Sequence, residues 1–151
     1  MLYFVHILVG ALIGKLFPNL WTLIILSLIL HFLMDMIPHW DNSFDTEHFK
    51  SSYKIKITSR FLLEELIEVL IGINLIFFIF LKFDNNLMIL GILFSLFPDI
   101  AKLGYITRLK KNKLFKKYLD FHAKIQKEVG WKKGLIVQII ISIILFRFLI
   151  L

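Results

Sequence analysis

The chain contains no cysteine. Disulfides and Cys-ligated zinc or iron–sulfur centres are therefore excluded, and any metal must be held by His, Asp, Glu or backbone oxygen. Proline is scarce, at three residues, and each one punctuates an apolar stretch. Acid is scarce too: 11 Asp and Glu face 18 Lys and Arg, for a net charge of +7. In a soluble chain that imbalance would raise nucleic acid as a partner. Here the basic residues lie mostly between hydrophobic segments, which favours an orientation signal or contact with anionic lipid. No glycine loop for phosphate, no dinucleotide fingerprint and no defensible Ser-His-Asp set is present. Met1 to Gly10 has no positive n-region, His6 interrupts its apolar run, and no small-residue cleavage site follows, so a cleaved signal is not expected.

Apolar residues are abundant. They make up 58 % of the chain, against about 45–50 % in soluble domains, which points to lipid as the solvent for much of the surface. The 16 Phe residues read first as membrane filler. A length of 151 residues suits one domain, here a single membrane domain over residues 1–151.

The patterning predicts an all-α integral membrane bundle of about five hydrophobic helices, at residues 2–17, 20–37, 60–81, 87–106 and 134–151. The first is short for a span, which takes roughly 20 residues. Its Gly10 and Gly14 make one small face that lets another helix approach closely. Pro38 disfavours helical geometry at Ile37 and should end the second helix. Pro98 and Asp99 should kink or break the fourth. Residues 39–59 form the longest expected loop, and Tyr53 to Ile57 alternate as a short extended stretch would. Residues 114–128 place Phe115, Tyr118, Leu119, His122, Ile125 and Gln126 on one helical face, so this amphipathic helix is expected to lie in the membrane interface. The last segment looks like an anchor.

Residues 107–133 are the most basic stretch and are expected on the cytoplasmic side. Alternating the spans then puts the N-terminus and the 39–59 loop on that side as well. Although only Lys and Arg set this orientation, it gathers His6, His31, Asp35, His39, Glu64, Glu65, Glu68, Asp99 and His122 toward the same face. With a rise of about 1.5 Å per residue, Asp35 lies roughly 6 Å and His31 roughly 12 Å deeper than His39, and Asp99 falls at roughly 10 Å. Buried ionisable groups cost about 2.5–3.5 kcal/mol each on insertion scales, so several at one depth need mutual pairing or a metal.

The sharpest local pattern is His31-x-x-x-Asp35-x-x-x-His39. Residues four apart share a helix face, so His31 and Asp35 can reach one ion. A site of imidazoles and carboxylates suits zinc, iron or manganese. Asp99 and the Glu cluster could bridge a second ion. The alternative is that His31 and Asp35 bond to each other or to neighbouring helices and hold the bundle together. Individual residues divide in the same way. Asp99 could cap a broken helix and pair with Lys102; His122 could be a buried structural His; Arg60 could neutralise Glu64. Glu64 and Glu68 form either a charged face or a source of general base. Asp41 is a further possible ligand, and Asp45 and His48 read as solvated loop residues.

The block from His31 through Ile37-Pro38-His39-Trp40-Asp41, with His6 upstream and Phe97-Pro98-Asp99 downstream, resembles the small prokaryotic inner-membrane proteins described as metal-dependent hydrolases. Phe121-His122-Ala123-Lys124-Ile125 looks like a later His motif of some of those proteins. The His-x-x-x-Asp helix is also similar to a ligand helix of the zinc-dependent phospholipase C fold, an all-helical phosphodiesterase. The resemblance implies a divalent metal, zinc first, on His6, His31, Asp35, His39, Asp99 and His122. It also implies hydrolysis of a lipid or lipid-linked phosphoester at the cytoplasmic face of the cell membrane, with Glu64 or Glu68 handling protons. The competing expectation is a non-enzymatic scaffold, or a small metal or ion carrier, using the same residues.

Overall fold

The computed structural model describes residues 1–41, 57–102, 109 and 112–151. The described residues form six α-helices: α1 (Tyr3–Leu16), α2 (Leu20–Asp35), α3 (Ser59–Phe83), α4 (Asn86–Lys102), α5 (Lys113–Ile125) and α6 (Trp131–Ile150). All six stand where the periodicity places them. The extended stretch expected at Tyr53 to Ile57 lies almost wholly outside the described residues, as do Asp45, His48 and residues 103–106, where the fourth helix is expected to end.

Local chemistry sets the helix ends. Asn19, Thr58 and Asn112 cap α2, α3 and α5, each side chain accepting from a first-turn amide. Asp84, in the left-handed region at φ 42°, closes α3 and turns the chain into α4. α2 stops at Asp35, ahead of Pro38. α4 runs on through Pro98 to Lys102, so the break expected there does not occur. The Pro98 carbonyl accepts a bond from the Tyr118 hydroxyl, which ties α5 to this point of α4.

α1 is the centre of the bundle and packs against α2, α3, α4 and α6. Its Ile7, Leu8 and Ala11 meet Ile79, Met88, Ile92 and Leu149, and its Val9 and Ile13 meet Leu23. The closest approach is to α4, where Gly10 and Gly14 lie against Gly91 and Leu87. A Cβ on either α1 glycine would sit on the α4 backbone. The small face read from the sequence is thus a backbone-to-backbone crossing.

Among the described residues two helices are long and apolar enough to cross a membrane, α3 with 25 residues and α6 with 20. Only 17 % of the most apolar stretch of each is buried inside the protein, unlike the core helix of a soluble fold. Leu63, Leu66, Leu70, Ile73 and Phe77 of α3 and Ile136, Ile140 and Ile143 of α6 are all exposed. An apolar surface of that extent is unusual on a soluble monomer. Of the about five spanning helices expected, these two meet the test of length and composition among the described residues, and the expected end of the fourth, at 103–106, lies outside them. α1 and α2, at 14 and 16 residues, are apolar but about 21 and 24 Å long, short of a roughly 30 Å hydrocarbon core. α1 is also enclosed by other helices, so its length is matched to protein rather than to lipid.

Polar side chains from other helices satisfy the first amides of α1. Gln138 of α6 accepts from Leu2 N at 2.8 Å and donates to the Trp40 carbonyl at 2.9 Å, and Glu68 of α3 accepts from Tyr3 N. The reading of the last segment as a plain anchor missed this fully buried glutamine. Gly14→Val should cost at least the 1–3 kcal/mol typical of overpacking, whereas Gly130→Ala, with open space around it, should be near neutral. Gln138→Leu leaves a buried amide and a carbonyl unpaired and should cost about 1–3 kcal/mol for each. Thermal unfolding in detergent measures both effects.

Candidate metal centre

Four helices deliver the polar cluster. α1 supplies His6, α2 supplies His31 and Asp35 one turn apart, α4 supplies Asp99 and α5 supplies His122. His6, His31, Asp35 and His122 are fully buried or nearly so, and the Asp99 side chain is almost enclosed. The chain beyond α2 and α5 locks the two together. Lys127 N donates to the Asp35 carbonyl, His39 N to the Lys127 carbonyl, and Val129 N to the His39 carbonyl.

Four ligand atoms converge, all within 4.8 Å of one another: one each from His31, Asp35, Asp99 and His122. His31 Nε2 lies 3.2 Å from His122 Nε2, 3.5 Å from Asp35 Oδ2 and 3.9 Å from Asp99 Oδ1. His122 Nε2 lies 3.5 Å from Asp35 Oδ2 and 3.6 Å from Asp99 Oδ1. A tetrahedral ion with bonds of about 2.0–2.2 Å places its ligands roughly 3.3–3.6 Å apart. The cluster is therefore close to the size of a four-coordinate shell of two nitrogens and two oxygens. This group can hold a metal ion.

The imidazoles are prepared for it. His31 Nδ1 donates to the Ser95 carbonyl at 2.8 Å, which leaves the Nε2 lone pair pointing into the cluster. Burial first, then the nearby Lys102 ammonium, lowers the His122 pKa to about 4. The ring is thus neutral at neutral pH, the state in which imidazole ligates metal.

The remaining carboxylate oxygens turn toward His6. Its Nε2 is 3.2 Å from Asp35 Oδ1 and 3.8 Å from Asp99 Oδ2, and its ring stacks on His31 with centroids 4.2 Å apart. Both His6 nitrogens, Asp35 Oδ2 and Asp99 Oδ2 are buried without a hydrogen bond of good geometry. Such an atom costs about 1–3 kcal/mol when left unpaired, and a cation among them would satisfy several at once. This is the observation on which the fit of a metal rests. Two cations already touch the carboxylates: the Met1 amine, 2.9 Å from Asp35 Oδ1, and Lys102 Nζ, 2.7 Å from Asp99 Oδ1.

Of the six ligands read from the sequence, four make up the converging group and His6 lies against it. His39 is placed differently. It is buried, its Nδ1 bonds the Ile37 carbonyl at 2.7 Å and its Nε2 has no partner. Burial, then the charge of the Met1 amine, lowers its pKa. Pro38 ends the helical register, so the third residue of the spaced pattern leaves the α2 face. The acids of α3 are engaged at other points: Glu64 with Arg60 at 2.8 Å, Glu65 with the Tyr3 hydroxyl at 3.2 Å and Glu68 with the Tyr3 amide. Asp41 accepts from Gln126 Nε2 at 3.0 Å. Spacing could not show the Ser95 carbonyl that orients His31, because a backbone acceptor leaves no trace in residue type.

A ligand that binds only the folded state stabilises it by about 2.7 kcal/mol at a hundred times its Kd. Zinc added to chelator-stripped protein should therefore raise the unfolding temperature, and EDTA should reverse the rise. In His31→Gln and Asp35→Asn the increment should vanish. A rise of equal size in both variants would place the ion elsewhere.

Comparison of the chain with protein-family models, with curated proteins and with solved structures found no match.

Proposed function

We propose that this protein is a membrane-bound, metal-dependent hydrolase of a lipid or lipid-linked phosphoester. The observation that carries the reading is the convergence of one ligand atom each from His31, Asp35, Asp99 and His122, on three helices, to within 4.8 Å, with orphaned carboxylate oxygens around it. Two imidazoles and two carboxylates suit zinc, with iron or manganese as alternatives. A divalent ion held by these four residues would have to expand to a fifth position to take a water or a phosphoryl oxygen, and there it would supply Lewis acidity and acidify the water. His6, facing the far oxygens of both carboxylates, would hold a second ion with them. Lys102 supplies a positive charge at the Asp99 edge of the site. Ser95, through its carbonyl, keeps the reactive nitrogen of His31 free.

The membrane part of the proposal rests on the exposed apolar surfaces of α3 and α6. Charge asymmetry supports a multi-pass arrangement with the metal centre near the cytoplasmic face, since α5 and the start of α6 are rich in lysine. A lipid substrate is the choice that suits a site held in a bundle whose α3 and α6 expose long apolar faces. The resemblance of the His31–Asp41 block to the inner-membrane metal-dependent hydrolases and to the zinc-dependent phospholipase C fold points the same way.

A second reading has its own observation. Lys102 already sits 2.7 Å from Asp99, so the buried groups can act as an ion-pair network that fastens α1, α2, α4 and α5. A scaffold of that kind would keep its stability after chelation, whereas a metal-centred fold would lose it.

Elemental analysis of detergent-purified protein, wild type beside Asp35→Ala, separates the two. The hydrolase reading expects near-stoichiometric zinc, iron or manganese in the wild type, its loss in the variant, and metal-dependent release from a phosphodiester panel in the wild type alone. Absence of metal from both after reconstitution would favour the scaffold.

A further inference from the structure

α5 has two unlike faces. Leu119, His122 and Ala123 are buried against the bundle. On the other face Leu114 and Phe121 lie seven residues, close to two turns, apart and are 75 % and 50 % exposed. Lys117 and Lys124 repeat the same spacing beside them, and Lys113 extends the row by one turn; all three are exposed. At about 100° per residue, Lys117 and Lys124 fall within roughly 60° of Phe121, so lysines and apolar side chains share one surface. Exposed Trp131, Lys132 and Lys133 repeat this chemistry at the start of α6. Apolar side chains flanked by a lysine row match a bilayer surface with anionic headgroups, where each lysine contributes about 1 kcal/mol of attraction.

The same helix carries one ligand of the candidate centre. Of the four converging residues, His31, Asp35 and Asp99 belong to α2 and α4, which pack against each other, and only His122 comes from α5. Among the contacts that join α5 to the bundle are the Tyr118 bond to Pro98, the His122 approach to His31 and an edge contact of Phe121 with Phe32 at 5.4 Å. Whatever holds the outer face of α5 therefore also holds His122 in place.

We propose that α5 is a lipid-docking arm: the Lys113–Lys117–Lys124 row and the Leu114–Phe121 stripe seat on an anionic bilayer, and this docking secures His122 as a metal ligand. The docking stands on the surface of α5 alone, while its coupling to the metal rests on the reading of the cluster as a metal centre.

Because the chain has no cysteine, Leu114→Cys accepts a polarity-sensitive fluorophore at one position. The labelled protein goes into nanodiscs of phosphatidylcholine, or of phosphatidylcholine mixed with phosphatidylglycerol. The proposal expects a blue shift when phosphatidylglycerol is present, abolished by Lys113→Gln, Lys117→Gln and Lys124→Gln together. Zinc affinity, read by chelator competition in the same discs without the label, should tighten on the order of tenfold in the anionic discs, and the triple variant should lose that gain. A label indifferent to phosphatidylglycerol would overturn the docking. A zinc gain that survives in the triple variant would reflect ions gathered by the anionic surface, and would overturn the coupling, as would equal affinity in both discs. A label that shifts while no disc binds zinc would remove the metal reading and the coupling with it, but not the docking.

Discussion

Two buried carboxylates must be neutralised in a bundle whose outer surface is apolar, and the rest of the structure is arranged around that requirement. Asp35 and Asp99 stand on helices that meet beside α1, away from water. An ionised carboxylate without a partner in such a place costs several kcal/mol. The chain answers with positive or proton-bearing groups from every direction: Lys102 along α4, His6 from α1, His31 from the same face of α2 and His122 from α5. A divalent cation is the most compact answer still open, because it would meet oxygens that the present contacts leave unpaired.

The crossing of α1 and α4 makes this convergence possible. Glycine at positions 10, 14 and 91 lets two backbones touch. That contact draws Asp99 toward His6 near one end of the bundle. Gln138 and Glu68 then occupy the Leu2 and Tyr3 amides, so the helix begins inside the protein with its first two donors paired. Helix packing and polar chemistry are therefore one design here, since a bulkier residue at the crossing would separate the cluster as well as loosen the core.

Much of this was legible in the chain itself. Apolar runs bounded by Pro18, Pro38 and polar turns mark the helices, and a four-residue spacing puts His31 and Asp35 on one face. Charge asymmetry, read from Lys and Arg alone, brought His6, Asp99 and His122 to the same level, and the structure places these side chains in one cluster. The illegible parts share a physical cause. A count of apolar residues cannot tell a helix surrounded by protein from one surrounded by lipid, so α1 reads as a span although other helices enclose it. His39 continues the spacing on paper, yet Pro38 interrupts the helix before it. The roles of Gln138 and of the Ser95 carbonyl depend on contacts more than sixty residues away in sequence.

Under the metal reading, His31, His122, Asp35 and Asp99 form the shell of one divalent ion. X-ray absorption at the zinc edge of zinc-loaded protein tests it most directly. The expected spectrum has a four-coordinate nitrogen and oxygen shell at about 2.0–2.2 Å with the outer-shell scattering of two imidazoles, reduced to one in His122→Ala. A shell without imidazole scattering, or one identical in the wild type and the variant, would contradict it.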